Sequence, residues 1–320
     1  MMIDIKEIIR AKELIDPYIK KTPLIKSEFL STLFNNEIYL KLENKQLTNS
    51  FKIRGAFSKL LNLTKEESIK GIITASSGNH AQAIAISAKV LNISAKIIVP
   101  KTTPKIKLDK IKKFEVELVL HGENYDEAEK EALLLAYSEG RTYVSAYNDK
   151  WIIAGQGTIG LEILDELPEV DEVLVPVGGG GLISGIAIAI KNSDKKKRIT
   201  GIQTAACPAM YESLKAGKIV NVDMKESIAD GMYGGIEKDS MTFDIIKEFV
   251  DEVVVVEEET IKDALALLWR KEKLITEGSA AAAIAPLIET TEKFVGKKIV
   301  CIISGGNIED DLFYEIINTH

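Results

Sequence analysis

Residues 173–190 constrain this chain more than any other stretch. They carry no charged side chain over a length that could span a membrane, yet they include five glycines and a proline. Four of the glycines, Gly178, Gly179, Gly180 and Gly181, are consecutive. The run before them, Val173-Leu174-Val175-Pro176-Val177, reads as a buried strand, and residues 182–190 read as a buried helix. Glycines at such a junction let backbone N–H groups approach a ligand, and the helix start favours an anion. The stretch therefore predicts strand, phosphate cradle and helix in a soluble protein with no membrane partner. A third glycine in dinucleotide register is missing and no Gly-Lys-Ser/Thr follows, so neither a dinucleotide fingerprint nor a P-loop is expected. A flexible hinge is the competing reading, but hinges rarely join a buried strand to a buried helix.

The same alternation runs along the chain. Residues 38–43, 71–75, 96–99, 116–120, 199–203, 253–256 and 299–303 read as strands, and residues 81–91, 125–137, 151–167 and 260–269 as helices. This order predicts an α/β fold with mainly parallel sheets. A length of 320 residues suggests two domains. With 46% hydrophobic and 28% charged residues, disorder is excluded, and a net charge of −7 argues against a nucleic-acid partner. The run Lys195-Lys196-Lys197-Arg198 reads as a solvated loop. Cys207 and Cys301 have neither metal nor redox spacing and read as free thiols of a reducing compartment. Residues 1–21 are charged and amphipathic with no signal-peptide core, so a cytoplasmic protein is expected.

Two stretches carry candidate chemistry. Thr48, Asn49 and Ser50 offer helix caps, which puts Lys52 in a first helical turn beside Phe51 and Ile53. The helix dipole and partial burial both disfavour a positive charge there. A neutral amine is what a Schiff-base lysine needs, and a surface lysine near a cap is the alternative. In Ser76-Ser77-Gly78-Asn79-His80, a strand ends in small hydroxyl and amide residues just before a helix, which suits a carboxylate.

Together, Ser50-Phe51-Lys52-Ile53-Arg54-Gly55-Ala56, Ser76-Ser77-Gly78-Asn79-His80, Gly155-Gln156-Gly157-Thr158, residues 176–181 and Ser304-Gly305-Gly306-Asn307 span nearly the whole chain. In content and order they resemble the fold-type II pyridoxal-phosphate enzymes, and within them the threonine dehydratase and serine racemase group, most of all its catabolic threonine dehydratases. The resemblance implies two parallel or mixed-sheet α/β domains of the tryptophan synthase beta-like type. Residues 1–52 plus 148–320 would form the large cofactor domain and residues 53–147 the small one.

It further implies that Lys52 carries pyridoxal 5'-phosphate and that Phe51 packs on the ring. Asn79 would bond the ring hydroxyl, and Gly178, Gly179, Gly180 and Gly181 with Leu182 would hold the phosphate. Ser304 would meet the ring nitrogen, and Ser76, Ser77, Gly78, Asn79 and His80 the substrate. Lys52 would be the catalytic base. Ser77 stands where the racemases place a second base, and it matches dehydratases equally. The implied reaction is elimination from L-threonine or L-serine to a 2-oxo acid and ammonia, in isoleucine biosynthesis or threonine catabolism, by a homodimer or homotetramer. A serine racemase, a β-replacing synthase with a sulfur nucleophile and a catalytically silent amino-acid sensor are the rivals. Gln203, Cys207 and Ala209 stand near the racemases' metal carboxylates, so no metal is expected. Asn49 replaces a common glycine, and Glu277-Gly278-Ser279-Ala280-Ala281 departs from Glu-Gly-Ala-Gly-Ala in a way expected to shift the threonine-to-serine preference. The chain stops soon after Asn307, so the C-terminal regulatory domain of biosynthetic dehydratases is not expected.

Overall fold

The structure, a computed structural model, describes residues 3–320. Its strands are β1 (Leu24–Lys26), β2 (Glu37–Leu42), β3 (Ile72–Ala75), β4 (Ala95–Val99), β5 (Glu117–Leu120), β6 (Thr142–Tyr143), β7 (Glu172–Pro176), β8 (Arg198–Thr204), β9 (Glu252–Val256) and β10 (Lys298–Ile303). They form a six-stranded sheet in the order β1-β2-β10-β7-β8-β9 and a four-stranded sheet in the order β5-β4-β3-β6. Every pairing is parallel except β1 with β2. The α/β class expected from the sequence is the one found. Helices cover the sheets, so β3, β4 and β7 are buried along their whole length. Among the described residues no helix is long and apolar enough to cross a membrane. Residues 173–190 divide into β7, the glycine turn and the helix Gly181–Ser193.

Glycines set how the central helices meet. The helix Lys150–Glu166 presents Gly155 to the Lys52–Leu61 helix, where a Cβ would lie 2.5 Å from the Arg54 carbonyl oxygen. Two residues further on, and so on a different face, it presents Gly157 to the Gly181–Ser193 helix, where a Cβ would lie 2.9 Å from the Gly185 carbonyl oxygen. Neither contact leaves room for a methyl group. A single helix thus fixes the distance between Lys52 and the glycine turn, which accounts physically for the Gly155-Gln156-Gly157 motif.

Two local readings are corrected. The Lys52–Leu61 helix starts from Phe51 with no side-chain cap, and the Ser50 hydroxyl is buried without a hydrogen-bond partner among the described residues. The turn is held instead by Asn49 in left-handed backbone (φ 52°) and by backbone bonds to the 304–307 loop. Residues 38–43 alternate as a half-buried strand would, yet Lys41 is fully buried. Its Nζ lies 2.6 Å from Glu162 Oε2 and donates to the Thr22 carbonyl at 2.7 Å.

Candidate active site

The cleft between the sheets holds a cavity of about 590 Å³. Lined by Phe51, Lys52, Ser76, Ser77, Gly78, Asn79, His80, Gly178, Gly179, Gly180, Gly181, Leu182 and Ser304, it gathers every site residue expected from the sequence. These come from β-strand ends and helix starts, where parallel α/β sheets place their ligands.

Lys52 reaches the cavity from the first turn of its helix, and its Nζ donates to the Ala146 carbonyl at 2.9 Å. The side chain keeps an opening to the cavity, but the surrounding protein strips most of its hydration. That desolvation lowers its pKa to about 8, with Glu277 opposing the shift. The Phe51 ring centre lies 5.3 Å from the amine. Ser304 is buried in the cavity wall, and its carbonyl accepts from the Phe51 N–H at 3.0 Å. A neutral serine there brings no charge to the floor of the site.

Ser76 and Ser77 precede the helix Asn79–Leu91, whose first N–H groups have no intrahelical acceptor. The Gly78 N–H donates to Ser76 Oγ at 3.3 Å. His80 is buried, with Nε2 3.4 Å from the Val144 carbonyl. Burial, and then the Lys52 charge, push its pKa down to about 3. Its ring is therefore neutral at working pH, and what it turns toward an anion is its backbone N–H.

The glycine turn is enclosed on three sides. A Cβ on Gly179 would run into the Tyr147 ring, one on Gly178 would lie 3.0 Å from the Gly231 carbonyl, and one on Gly180 2.7 Å from Ile246. Gly180 also needs its φ of 90°. Thr242 Oγ1 donates to the Gly179 carbonyl at 2.6 Å and keeps the N–H side turned to the cavity.

The structure adds residues that the motifs did not assign. Glu277 is buried and accepts from Asn79 Nδ2 at 3.0 Å through each carboxylate oxygen. Burial raises its pKa to about 7; Asp230 adds to that, while the Asn79 bond, the Asn307 N–H and Lys52 oppose it. Asn307 donates from Nδ2 to Asn79 Oδ1 at 2.7 Å and to the Thr48 carbonyl at 2.8 Å. The Ser279 hydroxyl lines the cavity, buried and without a partner among the described residues. At the mouth, Lys107 Nζ meets Asp230 at 3.1 Å across the cleft. Beyond its place at the head of Glu277-Gly278-Ser279-Ala280-Ala281, Glu277 is marked in the sequence as a lone carboxylate in a run, residues 274–287, with no other charge.

The cavity fits pyridoxal phosphate. Its glycine turn excludes side chains and presents a helix start to an anion, and desolvation holds the pKa of its lysine well below the usual amine range. The opposite wall supplies amide and hydroxyl groups of the kind that a pyridine ring with an oxygen substituent needs.

Fold and site together define an α/β enzyme whose cleft suits a phosphorylated ring cofactor. The chain belongs to the family described as pyridoxal-phosphate dependent enzyme, which matches residues 15–305. It is 41% identical over 318 residues to the L-threonine ammonia-lyase of Thermotoga maritima, covering 99% of this chain and 79% of that one. It is 40% identical over 309 residues to the catabolic L-threonine dehydratase TdcB of Escherichia coli K12, covering 96% and 94%. Maize serine racemase superposes with a TM-score of 0.93 at 31% identity, covering 100% of this chain and 98% of that one.

Proposed function

We propose that this chain is an L-threonine ammonia-lyase that also accepts L-serine. Its products would be 2-oxobutanoate or pyruvate, with ammonia. The observation that carries the reading is the roughly 40% identity over nearly the full chain to two relatives named for this activity. The cavity with Lys52 at its centre supports it. Residues 53–147 would form the small domain, and the enzyme would be a cytoplasmic homodimer or homotetramer.

The N–H groups at the starts of the helices Gly181–Ser193 and Asn79–Leu91 divide the anions between them. Gly178 to Gly181 with Leu182 would take the cofactor phosphate, and Ser76 to His80 the substrate carboxylate. Ser304 and Asn79 would meet the ring nitrogen and ring oxygen, and Phe51 the ring face. Bound pyridoxal phosphate would supply the electron sink that acidifies the substrate α-proton and lets a β-hydroxyl leave. Lys52 is the base for that proton. With its pKa depressed toward 8, a useful fraction of the amine is free at neutral pH. Ser77 lies in the same wall, where it can contact the substrate.

The deciding experiment measures 2-oxo acid, ammonia and D-serine from L-threonine and L-serine in one reaction. Fast 2-oxo acid release with little D-serine is the expected result. The likeness to maize serine racemase motivates the second reading, and dominant D-serine would establish it. Against it, Gln203 and Cys207 are engaged internally. Gln203 donates to the Val177 carbonyl and accepts from the Tyr211 N–H, and Cys207 Sγ lies 3.4 Å from the Gly234 carbonyl.

A further inference from the structure

Hydrogen-bond logic fixes which way the Asn79 amide faces. The Thr48 carbonyl can only accept, so the group of Asn307 that lies 2.8 Å from it is Nδ2. That Nδ2 also points at Asn79, at 2.7 Å, so the facing atom of Asn79 is Oδ1. Asn79 Nδ2 then lies on the other side, 3.0 Å from each oxygen of Glu277. Equal distances to both oxygens of one carboxylate describe a single N–H shared between them. The second N–H of Asn79 is left for the cavity.

We propose that Glu277 is a positioning residue that locks Asn79 as a donor to the cofactor ring oxygen, favouring the anionic form of that oxygen. This rests on the reading that Asn79 meets the ring oxygen. Only a carboxylate satisfies the geometry. Glu277 Oε2 accepts from Asn79 Nδ2 and also from the Asn307 N–H at 3.2 Å, while Oε1 faces Asn79 Nδ2 alone. A glutamine must put its own NH2 against at least one of these donors. If Asn79 flips to relieve that contact, its Nδ2 meets Asn307 Nδ2 instead. Glu277 packs directly against Gly305, where even a Cβ would lie 2.5 Å from Oε1, so the carboxylate is held on that side by the 304–307 loop. The charges facing it are Lys52 from one side and Asp230 from the other.

The test uses the full chain and no amino acid. Pyridoxal phosphate affinity is measured by equilibrium dialysis, and the visible absorbance of the bound cofactor is titrated with pH. Glu277→Gln is expected to weaken affinity by about tenfold, in line with a lost charged hydrogen bond, and to move the absorbance transition to higher pH. A folded Glu277→Gln protein with wild-type affinity and an unchanged transition overturns the proposal. Should Glu277→Gln fail to melt cooperatively, Asn307→Ala is read by the same two measurements, and wild-type values there overturn it equally. A protein that binds the cofactor yet turns over neither L-threonine nor L-serine refutes the lyase reading and leaves this result standing.

Discussion

Replacing Arg54 by leucine tests whether the buried ion cluster beneath Lys52 carries stability. Arg54 is fully buried two residues from Lys52. It donates twice to Glu43, at 2.8 and 2.9 Å, and twice to Glu162, at 2.6 and 2.9 Å, with further bonds to Thr158 and Thr22. Leucine fills much of the volume but leaves two carboxylates behind. Glu43 keeps the Thr22 hydroxyl, and Glu162 keeps Lys41. Breaking a buried pair costs about 3–5 kcal/mol. Lys41 still compensates one carboxylate, which puts the loss at the lower end, about 3 kcal/mol. At roughly 1.5 °C per kcal/mol for a chain of 320 residues, the melting temperature should fall by about 4–5 °C.

The pH dependence gives a second check. Burial pushes the Glu162 pKa up, but Arg54 and then Lys41 outweigh it and hold the carboxyl below its usual range. A depressed folded pKa contributes stability above the unfolded value and loses it as pH falls through the folded one. Without Arg54 that contribution shrinks, so the gap between variant and wild type should narrow as pH drops from about 5.5 toward about 3, the range over which the contribution of a depressed carboxyl is lost. Thermal melts of both proteins at the two pH values measure it. A shift of under about 2 °C at the higher pH, or a gap that widens on acidification, would refute the account.

Three further outcomes follow from the site. Lys52→Ala should abolish the visible absorbance of lysine-bound cofactor and any borohydride-stable adduct, and a retained adduct would place the reactive lysine elsewhere. Gly179→Ala drives a methyl group into the Tyr147 ring, so cofactor dialysis should show at least about a tenfold loss of affinity, whereas Gly217→Ala, outside the cavity lining and strained only by its φ of 70°, should cost some stability and leave that affinity unchanged. His80 is neutral in the fold, with a pKa of about 3 against an unfolded 6.5, so acidification protonates the unfolded chain first. Its contribution is complete above about pH 6.5, and by about pH 5 roughly 2 kcal/mol is lost; denaturant titrations of His80→Gln should show a flatter pH dependence over that window.

What the sequence made legible was what neighbours in the chain decide. β7, the glycine turn and the helix after it announce themselves through an uncharged run and four glycines. So do the strands with continuous apolar character, because full burial on both faces leaves no polar position to confuse the period. β6 was missed because it has two residues and exists only by pairing with β3. The helix Asp310–Thr319 is hard to read because no side chain caps its start and only Phe313 and Ile316 of it are buried. The lysine, the glycine turn and the serine-rich loop were each visible as local oddities, with a charge, a flexibility or a cluster of hydroxyls where the surrounding pattern argues against one.

Glu277 shows where that reasoning stops. Its partner Asn79 is 198 residues away, and nothing near either residue implies the other. A carboxylate in an uncharged run signals that something compensates it, without saying what. The compensation depends on the 304–307 loop being pinned to residues 49–51. There the Phe51 N–H bonds the Ser304 carbonyl at 3.0 Å and the Gly306 N–H bonds the Asn49 carbonyl at 2.8 Å. Those backbone bonds bring Asn307 beside Asn79, and Asn307 in turn fixes which face of the amide meets Glu277. The motif around Lys52 therefore has two jobs. It delivers the amine, and by holding the 304–307 loop it orients an amide on the opposite sheet. For that reason substitutions at Asn307 should alter the cofactor through Asn79.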